Sequence, residues 1–298
     1  MVTLLAAAAA ARAEDHAQPV PAGGGCAVDA DKRWTTQEKL VWAHVCRGEI
    51  ADFNHEAGYG GSLDPKAPKE WPAGRILTSS FLETILLKDK YRQALTRRGV
   101  RIIGARFTER LDLQIAELRH ELWLAGSLLE KGASLYGLRS TRRIIFANSK
   151  LGEDLDMRRL KVDEDVSIED TELGKLDMDS AHVGGLSLSR SKFAGVILAA
   201  AHIDGPLDLT GAKVGEKLKL GTLNMEGIQI ADDLFMDEAE VGDVDMKDGH
   251  VRGKLSLNRA MVRGKLDMQG VQIDQGLFMR NSQFVEVSLL SAHIGGEL

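Results

Sequence analysis

The sequence predicts a mainly β fold, a parallel β-helix of stacked turns, on three observations. Apolar-x-apolar triplets recur throughout Leu176 to Leu298, among them Leu176-Asp-Met178, Leu186-Ser-Leu188, Leu207-Asp-Leu209, Leu255-Ser-Leu257 and Leu266-Asp-Met268. The strongest triplets begin ten or eleven residues apart from Leu155 onward, with one gap of sixteen between Leu218 and Leu234. Weaker units lie between them, such as Ala201-His-Ile203, Ala212-Lys-Val214 and Val271-Gln-Ile273, so the underlying step is five or six residues.

A two-residue alternation puts both apolar side chains on one side of an extended backbone and the middle residue on the other. Strands of three residues are ordered only when each pairs with the strand one turn away, about 4.8 Å distant, so that the apolar residues form interior columns. Four units per turn make a turn of about 20 to 22 residues. Leu223-Asn-Met225 and Ile228-Gln-Ile230 fit the sixteen-residue gap as one extra unit. Gly184, Gly185, Gly205, Gly215, Gly253, Gly264 and Gly276 fall at expected corners, where positive φ is useful. Glycine at this frequency opposes a helix, and units this short oppose a hairpin sandwich.

Ala181-His-Val183-Gly-Gly185, Ala201-His-Ile203-Asp-Gly205 and Ala292-His-Ile294-Gly-Gly296 resemble diverged pentapeptide repeats, whose alanine and leucine or phenylalanine point inward two residues apart. The resemblance covers 100–298 and implies a right-handed quadrilateral β-helix. Six-residue steps and missing middle Asp or Asn residues depart from the pattern, and a triangular turn is the alternative.

Residues 1–13 form an expected signal peptide, with an alanine run ending in Ala11-Arg-Ala13 but no Lys or Arg before the apolar stretch. Residues 14–33 read as a linker and 34–99 as a helical cap over the solenoid's open end. Thr35-Thr-Gln-Glu38 and Ser80-Phe-Leu-Glu83 have capping-box spacing, and a second helical segment is expected from Asp89 to Arg98, stopped by Gly99. Pro65, Pro68 and Pro72 mark a loop between the helices. All four Trp lie before residue 124, which separates a conventional core from an aliphatic solenoid.

Cys26 and Cys46 are the only cysteines. In an exported chain they pair as a disulfide, and in the cytoplasm they remain thiols. Neither C-x-x-C nor a Cys/His cluster supports zinc, and no phosphate loop or dinucleotide fingerprint points to a cofactor. Net charge is −6, and from Leu111 onward 22 of the 38 Lys+Arg face 31 of the 44 Asp+Glu. An acidic rod opposes direct nucleic-acid binding. Some pentapeptide-repeat relatives use such a rod to mimic DNA toward type II topoisomerases.

Four-unit counting stacks His182 on His202 and continues that outward column through Asn224, Asp245, Asp267 and Ser288. It places His250, Gln272 and His293 on another face. An exposed His pair without a nearby carboxylate reads as surface decoration rather than a metal site. Polysaccharide-active β-helices combine acids with aromatic platforms, and the repeats offer few aromatics. Phe235 and Phe278 occupy outward middle positions two turns apart and are the candidate interaction surface for an unknown protein partner.

The resulting expectation is a non-catalytic binding or scaffolding solenoid, periplasmic or secreted, without a transmembrane span. A cytoplasmic DNA-mimicking topoisomerase modulator is the runner-up, and a carbohydrate-active enzyme the third class. Ala292 to Leu298 resembles the opening of a further turn, which suggests a truncated chain, with an end-to-end homodimer as the alternative.

Overall fold

In a computed structural model of the chain, the structure describes residues 26–67, 70–216 and 219–296. The leader and most of the linker lie outside them. The described chain is a parallel solenoid with four strand positions per turn, here faces I to IV. In the first full turn these are Val100–Ile103, Arg106–Phe107, Leu111–Asp112 and Glu117–Leu118. Face I forms a ten-stranded sheet and face IV a nine-stranded one, while faces II and III join in a sixteen-stranded sheet.

The register follows the alternation. Ile102 stacks on Leu124, Leu124 on Phe146 and Phe146 on Ile168, all buried, whereas Arg101, Trp123, Ile145 and Ser167 stack outward. Successive turns repeat at 22 residues early on, at 20 or 21 in the middle and again at 21 or 22 towards the C-terminal end.

The sixteen-residue gap has a different origin from the expected extra unit. Leu223 takes the ordinary face III position between Val196 and Val244, and Ile230 takes the ordinary face IV position above Ile203. The surplus lies just before them, where Lys213–Glu216 pairs antiparallel with Lys219–Leu220. This excursion stretches the local step to 27 residues, seen from Lys213 to Glu240. Leu218 lies outside the described residues.

The expected role of the corner glycines also needs correcting. Of the seven, only Gly215 has positive φ, at +99°. Gly184, Gly185, Gly205, Gly253 and Gly264 answer close approach between turns: a Cβ on Gly205 would lie 2.8 Å from the Gly184 carbonyl oxygen, and one on Gly264 would lie 2.1 Å from an Asp243 carboxylate oxygen. The left-handed corner positions fall elsewhere, between faces I and II and between faces III and IV, and ordinary residues such as Asn148, Arg159, Ser180, Ala200 and Arg259 occupy many of them.

One device in the core has no apolar signature. Ser127, Ser149, Thr171 and Ser191 form a buried hydroxyl column at the start of face II. Each hydroxyl accepts from the backbone N–H one turn earlier: Ala105 to Ser127 at 3.2 Å, Ser127 to Ser149 at 3.1 Å, Ser149 to Thr171 at 3.3 Å and Thr171 to Ser191 at 2.9 Å. Each also donates to a carbonyl, as Ser149 does to Ala147 at 2.9 Å. Ser149→Ala removes a buried acceptor and strands the Ser127 N–H, so the expected loss is about 1–3 kcal/mol. Chemical denaturation of the variant measures it.

The N-terminal segment closes the first turn in two ways. Ala51–Asp52 adds a parallel strand to face I and Ile76–Leu77 adds one to face II. Helix α1 (Thr36–Val45) and helix α2 (Ser79–Leu87) supply the rest, with α2 lying against the opening strands of faces III and IV. All four strand positions therefore have a neighbour at this end, which removes the open edge.

Thr35 and Glu38 form the expected capping box on α1. The second cap is Thr78, not Ser80: the Thr78 hydroxyl accepts from the Phe81 N–H at 3.1 Å. Thr78 prevails because its own N–H and hydroxyl donate to the buried Glu38 carboxylate at 3.2 and 2.6 Å, so one carboxylate joins both helix starts. Helix α3 (Asp89–Arg92) is a single turn, shorter than the expected Asp89 to Arg98. Trp34, Trp42, Phe81 and Tyr91 pack edge-on or tilted with ring centroids 4.8–5.9 Å apart, making the conventional core the tryptophan distribution implied.

Candidate functional site

The outward column of face I carries the candidate surface. Phe235 and Phe278 stack on the two sides of Ser256, two turns apart as counted, and both are half-buried. The Lys254 ammonium lies 5.4 Å from the Phe235 ring centroid, so a cation covers part of that face. Trp123 and Ile145 occupy the same column nearer the cap and are equally half-buried. The middle-position criterion that finds Phe235 would find them too if applied to Leu122-Trp-Leu124 and Ile144-Ile-Phe146.

The histidines fall differently from the expected register. Face IV stacks Lys161, His182, His202, Gln229, His250, Gln272 and His293 in one outward column. Asn224, Asp245, Asp267 and Ser288 belong to face III instead. The displacement follows from the excursion at 213–220, which adds residues without adding a rung. Nor do the histidines lack carboxylates: His182 Nε2 lies 2.8 Å from Asp204, and His250 Nε2 3.0 Å from Asp274, each acid coming from the following turn. The His182 and His202 ring centroids are 5.7 Å apart. Among the described residues no group of three or more His, Cys, Asp or Glu is arranged to hold a metal ion.

On face III the middle Asp or Asn closes a turn. The side chains of Asp156, Asn224, Asp245 and Asp267 each accept from the N–H two residues on, at 3.0–3.3 Å. Stacked carboxylates would repel, and cations intervene: Asp156 pairs with Arg158 at 2.9 Å, and Asp267 with Lys265 at 2.9 Å and Lys247 at 3.8 Å. The Arg158 side-chain hydrogen bond holds the Asp156 carboxyl below its ordinary value, and that of Lys265 does the same for Asp267.

A depressed carboxyl pKa gives stability that is full above the unfolded value near 3.9 and lost as pH falls through the folded value. Melting temperature should therefore drop below about pH 4, and Asp267→Asn should flatten that limb while lowering stability at pH 7. Thermal scans from neutral pH downward test both.

The segment between α1 and α2 lies along face II. Lys66 reaches the fourth turn, where its ammonium donates to the Asp170 carbonyl at 2.7 Å. At the near end, the guanidinium of fully buried Arg75 donates to the carbonyl oxygens of Tyr59 at 2.7 Å, Phe53 at 3.0 Å and Gly104 at 3.3 Å, to the Asn54 side-chain oxygen at 2.8 Å, and to the Gly61 carbonyl. Burial lowers the Arg75 pKa from its ordinary value. Gly104 sits beneath this group with φ +75°, and a Cβ there would meet the guanidinium at 2.8 Å.

This strap and face II enclose a cleft of about 580 Å³ lined by Pro65, Ala67, Glu70, Trp71, Arg106, Leu128, Glu130 and Lys150. Its volume is ordinary for a ligand pocket. Arg106 pairs with Glu130 at 2.5 Å and Lys150 with Glu172 at 3.3 Å, which leaves the floor close to neutral. Sequence reading missed the cleft because its walls are some 35 or more residues apart along the chain, between Trp71 and Arg106, and no local pattern links them.

Cys26 and Cys46 are joined as a disulfide with their Cα atoms 5.4 Å apart, inside the usual range. The bond ties the first described residue to the end of α1. Among the described residues no helix is long and apolar enough to cross a membrane.

Strand register, four positions per turn and continuous interior columns define the class as a parallel β-solenoid. Comparison with protein-family models, curated proteins and solved structures returned no match for the chain.

Proposed function

We propose that the chain is a non-catalytic binding or scaffolding solenoid of diverged pentapeptide-repeat type, working outside the cytoplasm. The observation that supports this most directly is the face I column, in which Phe235 and Phe278 stand in register on a rigid sheet. A flat parallel face with aromatic side chains at fixed spacing suits recognition of a protein surface. The bonded pair Cys26–Cys46 favours an oxidising compartment.

Partner capture by cross-linking should yield a set of proteins that a Phe235→Glu/Phe278→Glu variant loses, with its melting temperature little changed. Retention of the same set by the variant would sink this reading. Cell fractionation combined with thiol alkylation addresses location. Exported protein should carry no alkylatable thiol, and full-length reduced protein confined to the cytoplasm would move the balance to the topoisomerase modulator, which an inhibition assay of supercoiling then tests.

The neutral cleft under the strap favours a second reading, carbohydrate binding or processing. Glu70, Glu130 and Trp71 line it, a combination of acids and an aromatic used by sugar-binding sites. Calorimetric titration with neutral oligosaccharides, compared with a Leu128→Trp variant that fills the cleft, tests it.

A further inference from the structure

The corner between faces III and IV repeats the same left-handed residue in every turn, and its first occupant is anomalous. Successive turns place Gly137, Arg159, Ser180, Ala200 and Gly227 there, all glycine, polar or small. The first turn places Ile115, with φ +55°. A β-branched side chain in this region is a steric outlier, which glycine would avoid. Packing does not compensate, because Ile115 is 78% exposed, the most exposed large apolar residue among those described. Strain combined with exposure at one residue is a reason to look for function outside the fold.

Its surroundings have a definite chemistry. The Ile115 N–H donates to the Tyr136 carbonyl at 2.8 Å, which places Tyr136 directly beside it in the next turn. Tyr136 is half-buried, with the Arg158 guanidinium 5.4 Å from its ring centroid and the Arg159 guanidinium donating to its hydroxyl at 3.4 Å. On the adjoining face IV, Arg139 and Lys161 are register neighbours and both exposed. Arg158 pairs with Asp156 at 2.9 Å, and Glu117, the register neighbour of Arg139, pairs with Arg119 at 3.4 Å. Among the described residues no carboxylate pairs with Arg139, Arg159 or Lys161. The corner thus carries three cations without a carboxylate partner around an isoleucine and a tyrosine, with the exposed Asp112 on its face III side.

We infer that the Ile115–Tyr136 corner docks an acidic protein segment, one whose carboxylates meet Arg139, Arg159 and Lys161 and whose apolar pocket or side chains receive Ile115. Charge complementarity selects the sign of the partner, and the isoleucine selects its class. A nucleic-acid backbone has nothing to gain from a projecting isoleucine, and one aliphatic side chain is a weak membrane anchor. Tyrosine and arginine, here beside an exposed aliphatic side chain, are residue types enriched at interface hot spots. This inference is independent of face I and of the cleft, and it holds or fails without them.

The test selects phage-displayed random peptides on the full chain and compares recovery on Ile115→Gly and on Arg159→Ser, the latter copying the residue at the equivalent position Ser180. Wild-type protein should enrich peptides with Asp or Glu flanking an aliphatic or aromatic residue, with recovery at least about tenfold lower on Ile115→Gly. That variant should also melt about 2 °C higher, since glycine relieves the corner. A lower melting temperature would show that Ile115 serves the fold, and recovery on both variants equal to that on the wild type, enrichment of basic peptides or no enrichment would each overturn docking. Tighter binding to anionic phosphatidylglycerol vesicles or duplex DNA than to any selected peptide would overturn the choice of partner.

Discussion

Arg75→Met should destabilise the protein by about 3 kcal/mol or more and release the segment between α1 and α2 from face II. The guanidinium is fully buried, and it donates to five acceptors on two parts of the chain, four within 53–61 and one at Gly104. Methionine fills much of the volume yet leaves the carbonyls of Phe53, Tyr59 and Gly104 without donors, and stranded buried acceptors account for most of the loss. Arg75→Lys should recover only part of it, because a single ammonium cannot span the same fork of acceptors. The measurement is denaturant unfolding with limited proteolysis, where cleavage in 55–70 should appear well before the solenoid is cut. Unchanged proteolysis would mean that the strap is held by Lys66 and packing alone.

Ile203→Asp should unfold or aggregate the rod, while its neighbour His202→Asp should be mild. Ile203 is 2% exposed in the interior column between Val183 and Ile230, so a carboxylate there has no water and no partner. His202 points outward in the adjacent position and is exposed. Soluble yield and melting temperature report the contrast, and equal losses for the two variants would contradict the register of face IV.

That register was legible in the chain only up to the excursion. From His182 to His202 the count of four units per turn agrees with the pairing, because each unit there contributes one strand. Beyond Ala212 the same count assigns His250 and His293 to the wrong face, because Lys213–Glu216 turns back on Lys219–Leu220 and adds residues that look like a repeat unit. Apolar alternation cannot distinguish a strand that stacks from one that loops out, since both read as apolar-x-apolar. The carboxylate partners of His182 and His250 were equally hidden, as Asp204 and Asp274 lie 22 and 24 residues downstream and meet the rings only through stacking.

Other features were illegible for other reasons. The hydroxyl column of Ser127, Ser149, Thr171 and Ser191 interrupts the apolar pattern, so local reading places these residues outside the core. Their burial becomes comprehensible only when each is seen to receive an N–H from the turn before. The candidate pair Phe235 and Phe278 was legible because both lie after the excursion, where relative counting holds. Ile115 was not, since an isoleucine in sequence carries no mark of its φ.

The sequence alone determined that the chain stacks short parallel strands around an aliphatic interior, because two-residue alternation at a step of five or six has no other way to bury its apolar side chains. It also determined that an N-terminal, tryptophan-bearing segment precedes the repeats, and that Cys26 and Cys46 are the only cysteines available to pair. Tertiary structure decided which outward residues share a face, where the strap lies, and which corner holds a strained isoleucine. These depend on the exact number of residues in every turn, and a single excursion shifts all later side chains relative to the earlier ones without altering the alternation that makes the fold.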